Sequence, residues 1–428
     1  MSSDTLTISR GAASRLFVPK LVTALGEGYG LERAKADLFA GLTVSVVALP
    51  LSLALAIASG VAPERGLFTA AVAGAIVSLL GGSRFQIAGP TGAFVVVVAG
   101  IVAKFGYAGL VVAMLMAGAM LIAAGLLRLG TYIQYVSVPV VTGFTTGIAV
   151  VIFSSQIGDV LGLRVAHAPA DPVGRLMADA AAMGTFNAAA FAIAIATLGA
   201  ILLARTFAPR LPVFLIAIVL AGFSVWAFAL PVATIGTRFG GIPSALPAPH
   251  LPSFGFADLR KLFLPAFTLF ALGGIESLLS AVVADRLTGR RHRANCELVA
   301  QGIANIASAV MGGIPATGAI ARTATNIRAG AATPVSGVIH SIAILAMMAL
   351  FAPLAAYIPL AALGAVLTIV CWNMAEVHVF ATVLGRTPGD RLVLMTTFLL
   401  TVFVDLSIAI AVGVALSAAP SLFRRLRL

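Results

Sequence analysis

The sequence predicts an all-α polytopic membrane protein, and three observations carry that prediction. Of 428 residues, 60% are apolar and only 10% are Asp, Glu, Lys or Arg, against about 25% charged residues in soluble domains. Mean hydropathy is +1.09, which excludes a water-facing globule of this size. The apolar residues form continuous runs rather than alternating with polar ones, which excludes a transmembrane β-barrel. At about 20 apolar residues per crossing, such a chain holds on the order of twelve to fourteen helices.

Residues 1–33 are polar and basic, lack the apolar core of a cleavable signal peptide, and read as a cytoplasmic leader. The first apolar block, 38–59, follows Arg33, Lys35 and Asp37 and is bent by Pro50; the second, 66–80, starts after a turn at Pro63. Residues 85–89 then read as a short strand, and Pro90-Thr91-Gly92 opens a helix ending near Val102, too short to span alone. Spans follow at 108–127, 138–156, 186–204 and 213–230, with polar stretches at 158–183 and 233–261.

The second half starts at 263–284, continues through a basic loop at 285–293 and a span at 295–311, and again meets a strand-like stretch, 314–320. A second short helix, 322–330, follows it. Spans at 333–351 and 360–374, an amphipathic stretch at 376–386, and a close pair at 391–403 and 407–422 around Asp405 complete the chain. Asp37 and Asp405 read as cap and turn residues.

Seven elements, a restart and seven more elements give 14 transmembrane segments in two repeats, 34–230 and 263–422. An extramembrane connection, 231–262, joins them, and a basic cytoplasmic end, 423–428, follows. An odd number of spans per repeat inverts one repeat relative to the other. The short half-helices fall third in each half, each preceded by a short strand, and paired interrupted segments of this kind point to a transporter binding site.

The charge balance agrees with this topology. The chain carries 27 Lys plus Arg against 15 Asp plus Glu, a net +12, but the cations lie between the apolar runs. Membrane orientation and anionic lipid account for them without nucleic acid. With both termini cytoplasmic, Arg205, Arg210, Arg286, Arg290, Arg291, Arg293, Arg386, Arg391, Arg424, Arg425 and Arg427 fall on the inner side of a multi-pass inner (plasma) membrane protein.

Two half-helices meeting near the midplane would direct free backbone N–H groups and positive dipole ends at one point. Each end favours an anion by roughly 0.3–1 kcal/mol when exposed and up to about 2 when partly buried. Thr91-Gly92-Ala93 and Ala321-Arg322-Thr323 are the candidate substrate-binding residues, with Gly92 and Ala93 allowing close approach to the backbone. The bland alternative is that these Gly/Pro pairs only mark re-entrant turns. Arg322 lies in the otherwise uncharged stretch 312–327; an arginine at membrane depth costs roughly 2.5–3.5 kcal/mol on insertion scales and needs a partner, which a substrate anion would supply. Snorkelling to lipid headgroups is the alternative for Arg322 and the reading for Arg328.

Glu276 is the acidic counterpart, embedded in an apolar span with Ser280 one turn on along the same face. A carboxylate withdrawn from water can carry a proton; with Ser280 and backbone carbonyls it could instead ligate Na⁺. A structural role, as a hydrogen-bonded cap or an ion pair with Arg322, is the third reading. No cofactor or metal site is read: His167, His250, His292, His340 and His378 show no ligand spacing, and no phosphate-binding loop occurs. Cys296 and Cys371 form no CxxC pair, and no nucleophile with an adjacent base appears, so the chain does not read as an enzyme.

The stretches Phe270-Ala271-Leu272-Gly273-Gly274-Ile275-Glu276-Ser277, 295–305 and 312–326, with 135–156 and 391–406, resemble the SulP anion transporters, the sulfate-permease family that includes prestin and pendrin. The resemblance covers about residues 34–422. It implies two inverted seven-segment repeats, with a core domain (segments 1–4 and 8–11) moving elevator-like against a gate domain (5–7 and 12–14). It also implies a homodimer and an anion site between segments 3 and 10, with first-segment contacts at Leu51, Ser52 and Leu55.

Where many members carry Gln, this chain has Leu51, which makes it more similar to bicarbonate and dicarboxylate carriers than to sulfate carriers. Sodium-dependent bicarbonate members carry Asp at the position of Glu276, so glutamate favours protons. Most members continue into a cytoplasmic STAS domain, whereas this sequence stops at Leu428, so the resemblance extends to the membrane domain alone. The resulting expectation is proton-coupled symport of a small anion such as fumarate, bicarbonate or sulfate. A sodium-coupled bicarbonate symporter, a passive anion channel or uniporter and a nucleobase permease stand as alternatives.

Overall fold

The computed structural model describes residues 16–133, 137–165, 169, 171–208, 211–253, 255–404, 408–409 and 411–417. Asp405, His167, Arg210, Arg424, Arg425, Arg427 and seven of the sixteen residues of the predicted segment 407–422 lie outside these residues. Helix α1 (Lys20–Gly26) precedes α2 (Leu31–Ala58), which contains Pro50, and α3 (Glu64–Leu80). Strand β1 (Ala88–Gly89) leads into α4 (Gly92–Leu126). The predicted segments 3 and 4 are joined in α4, which breaks at Gly106, whose φ of +68° suits a residue without Cβ.

A short helix α5 (Gly130–Ile133) is followed by α6 (Val138–Val160), α7 (Pro172–Ala181), α8 (Ala188–Phe207), α9 (Val213–Phe228) and α10 (Ile235–Phe239). Then come α11 (Phe256–Thr288), α12 (Ala294–Val310), β2 (Thr317–Gly318) and α13 (Ile320–Arg328). Helices α14 (Val335–Ala355), α15 (Leu360–Met374), α16 (Val377–Leu384) and α17 (Pro388–Phe403) close the series. Among the described residues, seven helices are long and apolar enough to cross a membrane.

The differences from the sequence reading lie where local capping outweighs low hydropathy. The polar stretch 158–183 contains α7, started by Pro172 and by Asp171, whose side chain accepts from Gly174 N. The stretch 233–261 contains α10, opened by a Thr234–Thr237 capping box, and the first turns of α11, which begins seven residues before the apolar block. Helix α11 also extends to Thr288, into the predicted basic loop.

Packing falls into two groups. Helices α2, α3, α4, α11, α12, α13 and α14 pack mainly on one another, and α6 packs with α15 and α17, α8 with α9 and α15. Glycines set the closest approach in the first group: a Cβ on Gly302 would lie 2.5 Å from Gly118 O, and one on Gly118 2.8 Å from Gly302 O. Helices in lipid gain little from apolar burial against each other, so close backbone contact of this kind supplies the attraction.

Within the predicted leader, α1 docks on two interhelical loops. Lys20 N donates to Gly81 O at 2.9 Å, Arg293 Nη1 donates to Val18 O at 2.6 Å and to Thr23 Oγ1 at 3.0 Å, and Arg84 Nη1 pairs with Glu27 Oε2 at 2.7 Å. The hydrogen bond from Arg84 holds the Glu27 carboxyl below its ordinary value of 4.5. A depressed carboxyl contributes stability above its unfolded value, and that contribution is lost as pH falls through the folded one. Glu27→Gln is therefore expected to speed amide hydrogen exchange in α1 about two- to fivefold at neutral pH. The difference from the parent protein should shrink as the pH falls below 4.5.

Candidate functional site

The two interrupted segments meet. Strand β1 pairs antiparallel with β2 in the register Ala88 to Gly318 and Gly89 to Thr317, and Ala319 N donates to Ile87 O at 2.9 Å. Each strand runs directly into a short helix, so this one pairing fixes both half-helix N-termini against each other. Helix α13 starts at Ile320, two residues before the sequence reading placed it, because Ala319 is still extended and held by the strand pairing.

Extended backbone at membrane depth needs partners, and neighbouring side chains supply them. Gln301 Nε2 and Asn305 Nδ2 donate to Ala316 O at 2.7 and 3.0 Å, and Asn305 Oδ1 accepts from Ala316 N at 2.9 Å. Ser308 Oγ donates to Ile314 O, and Thr69 Oγ1 accepts from Ile314 N. Ser277 Oγ accepts from Gly318 N at 3.1 Å and lies 2.8 Å from Thr317 Oγ1. On the β1 side, Thr323 Oγ1 accepts from Ile87 N at 3.1 Å, and Asn326 Nδ2 donates to Phe85 O at 2.9 Å.

Neither half-helix N-terminus is capped by a side chain. Thr91 holds the N-cap position of α4, but its hydroxyl donates to Glu276 Oε2 at 3.2 Å. Ala319, at the N-cap of α13, has no polar side chain. The first backbone N–H groups of both helices, at Gly92, Ala93, Ile320 and Ala321, therefore have no side-chain acceptor, and an anion would satisfy them. Gly92 faces the second packing group: a Cβ there would lie 2.5 Å from Met374 Sδ and 3.5 Å from Ile152 Cδ1.

Arg322 is buried, 2% exposed, and turned onto neutral acceptors. Its Nη2 donates to Ser52 Oγ and Pro90 O, each at 3.2 Å. Ser52 commits its own hydroxyl hydrogen to Ala48 O at 2.7 Å, which leaves oxygen lone pairs for the guanidinium. A Cβ on Gly89 would lie 2.3 Å from Arg322 Nη1, so glycine is what makes room there. Nη1 has no hydrogen-bond partner among the described residues, and no ion pair joins Arg322 to Glu276.

The structure thus brings together Thr91 with Glu276, Arg322 with Ser52, and Thr323 with Ser280, whose hydroxyls lie 3.2 Å apart. Ser280 bonds to Thr323 rather than serving Glu276. Leu55 and Ala93 are buried in the apolar core, Leu51 is half-buried, and Ala321 is exposed at the start of α13. Arg328 is exposed at the far end of that helix. Among the described residues, no three His, Cys, Asp or Glu side chains cluster as a metal site.

Sequence reasoning missed Glu297, fully buried in the first turn of α12. Its carboxylate accepts from Gly82 N at 2.8 Å, Ser83 N at 3.0 Å and Gln86 Nε2 at 2.9 Å, and so ties down the chain entering β1. It also missed the burial of Asp37, which accepts from Ala332 N and Thr333 N ahead of α14. The available signal was the polar spacing Glu297, Gln301, Asn305, Ser308, one stripe of an otherwise apolar helix.

Residues 35–397 match the model of the sulfate permease family. The chain is similar to YvdB, a candidate sulfate transporter of Bacillus subtilis (strain 168), at 45% identity over 91% of this chain and 74% of that protein. It is also similar to the bicarbonate transporter BicA of Picosynechococcus, at 32% identity over 89% of this chain and 69% of BicA. The solved transmembrane domain of a cyanobacterial BicA superposes with a TM-score of 0.81 at 33% identity, over 90% of this chain and 98% of that one. SLC26A9 shares the fold, with a TM-score of 0.87 at 18% identity over 99% of this chain and 70% of that one.

Removing the Glu297 acceptor strands two backbone donors and one side-chain donor. Glu297→Ala is expected to destabilise the detergent-purified protein by at least about 3 kcal/mol, at about 1–3 kcal/mol per stranded group. Glu297→Gln, which keeps an acceptor oxygen, should lose less in the same thermal unfolding measurement.

Proposed function

The chain belongs to the sulfate permease family, and we propose that it is a secondary active transporter carrying a small anion, of the bicarbonate, sulfate or dicarboxylate class, together with a proton. The observation that carries the reading is the pair of uncapped half-helix N-termini held together by β1 and β2, with the Arg322 charge beside them unopposed by any carboxylate among the described residues. Helix-end donors and a buried arginine attract an anion; a neutral substrate would leave both unpartnered. The family's named members are transporters, and the chain is read as one rather than as an enzyme.

In this reading the fourteen segments form two inverted repeats, and the two packing groups are a core and a gate that move past each other in an elevator-type cycle. The anion sits between Thr91-Gly92-Ala93 and Ala321-Arg322-Thr323, with Leu51, Ser52 and Leu55 behind it. A cavity of about 560 Å³ runs along α4 from Val96 to Lys104 and is bounded across from it by Val151 and Thr401. The protein works as a homodimer in the inner membrane with both termini cytoplasmic.

Glu276 is the proton carrier. Its carboxyl accepts from Thr91, the residue that opens the half-helix, so loading Glu276 changes the charge at the end where the anion binds. Sodium in place of the proton is the second reading; the similarity to BicA, named as a bicarbonate transporter, favours bicarbonate among the candidate anions.

Uptake of labelled bicarbonate, sulfate and fumarate into proteoliposomes tests this, with and without imposed proton and sodium gradients. Inward proton-driven accumulation of one of them is expected, and Glu276→Gln should abolish the gradient dependence. Uptake that ignores the proton gradient, or that Glu276→Gln leaves unchanged, overturns proton coupling. Arg322→Ala should weaken anion binding about tenfold or more, the cost of a lost charge-assisted contact. Arg328→Ala should change it less than about twofold.

A further inference from the structure

His340, in the middle of α14, is 0% exposed, and neither of its ring nitrogens has a hydrogen-bond partner among the described residues. An imidazole always presents at least one N–H donor, and a buried polar atom left unmet costs about 1–3 kcal/mol. In native interiors such groups are met by ordered water. Nη1 of Arg322, a residue only 2% exposed, is likewise without a partner among the described residues.

Two glycines relate these groups. A Cβ on Gly74 of α3 would lie 3.8 Å from His340 Cδ2 and 3.3 Å from Ala88 O. A Cβ on Gly89, the next residue of β1, would lie 2.3 Å from Arg322 Nη1. The imidazole thus lies against Gly74, whose side faces Ala88 O, and the guanidinium against Gly89, the next residue of the strand. At Gly74 the nearest atom to such a Cβ is Ser341 Oγ, at 2.7 Å, whereas glycine at 89 is what leaves room for the guanidinium.

We propose that ordered water joins the His340 ring to Arg322 Nη1, which makes His340 a positioning residue for the arginine of the anion site. Ser52 and Pro90 hold one guanidinium nitrogen, Nη2. A second restraint on Nη1 fixes the plane of the group, and a planar donor fork delivers its charge in one direction only when both ends are held. The proposal rests on the reading of Arg322 as the anion's charge partner.

The test uses His340→Leu, which fills similar volume without polar atoms, and His340→Gln, which restores a donor and an acceptor. In proteoliposomes His340→Leu is expected to raise the half-saturating anion concentration about five- to tenfold with little change in maximal rate, and His340→Gln to recover most of it. Thermal unfolding of detergent-purified His340→Leu, Arg322→Gln and the double variant should be non-additive. Additive unfolding shifts, or a loss confined to maximal rate, overturn the proposal. Non-additive unfolding alongside no uptake of bicarbonate, sulfate or fumarate by the parent protein supports the His340–Arg322 link and instead refutes the transport reading.

Discussion

Everything at this site follows from one constraint: backbone polar groups at membrane depth must find partners inside the protein. Two extended segments cross the interior of a helical bundle, and only two residues of each pair with the other. The remaining groups are met by side chains from α3, α11, α12 and α13, notably Thr69, Ser277, Gln301, Asn305 and Asn326. These polar residues stabilise a shape that a bilayer otherwise forbids. The bonding of the strands is nearly complete, but it stops where the helices begin, and the uncapped helix ends are what remains for a ligand.

The charges are arranged by the same logic. Arg322 is held by a hydroxyl and a carbonyl rather than by an acid, so its position is fixed while its charge is not cancelled. A carboxylate partner would have competed with an anionic ligand for it. Glu276, on α11, accepts from Thr91 at the start of the other half-helix and so takes up the hydroxyl that could have capped it. Cation and acid are thereby kept at separate half-helix ends, and no internal ion pair joins them among the described residues.

Much of this was legible in the sequence. Hydropathy located most of the apolar helices, because a bilayer imposes length and composition directly, though α11 starts seven residues before its apolar block and segments 3 and 4 join in α4. Gly89-Pro90-Thr91-Gly92 and Gly312-Gly313-Ile314-Pro315 announced the interruptions, since glycine and proline are poor choices for an unbroken helix. Arg322 and Glu276 stood out because charge is rare inside apolar runs. Residues whose role depends on distant partners were not legible: Glu297 serves loop residues 82–86, and Asp37 serves the entry to α14, contacts more than 200 positions away in the chain. His340 read as a scattered histidine because nothing local distinguishes it.

By itself the sequence determined that the chain lives in a membrane, roughly where its apolar helices lie, where two of them are interrupted, and that Arg322 and Glu276 stand out as charges within apolar stretches. It did so because hydrophobic length, helix-breaking residues and the cost of buried charge are local properties. Only the tertiary structure decided that the two breaks pair strand to strand, that Thr91 bonds Glu276 instead of capping its helix, and that Arg322 leans on Ser52 and Pro90. Those outcomes depend on which donors and acceptors three-dimensional packing brings within about 3 Å of each other, and no spacing along the chain encodes that.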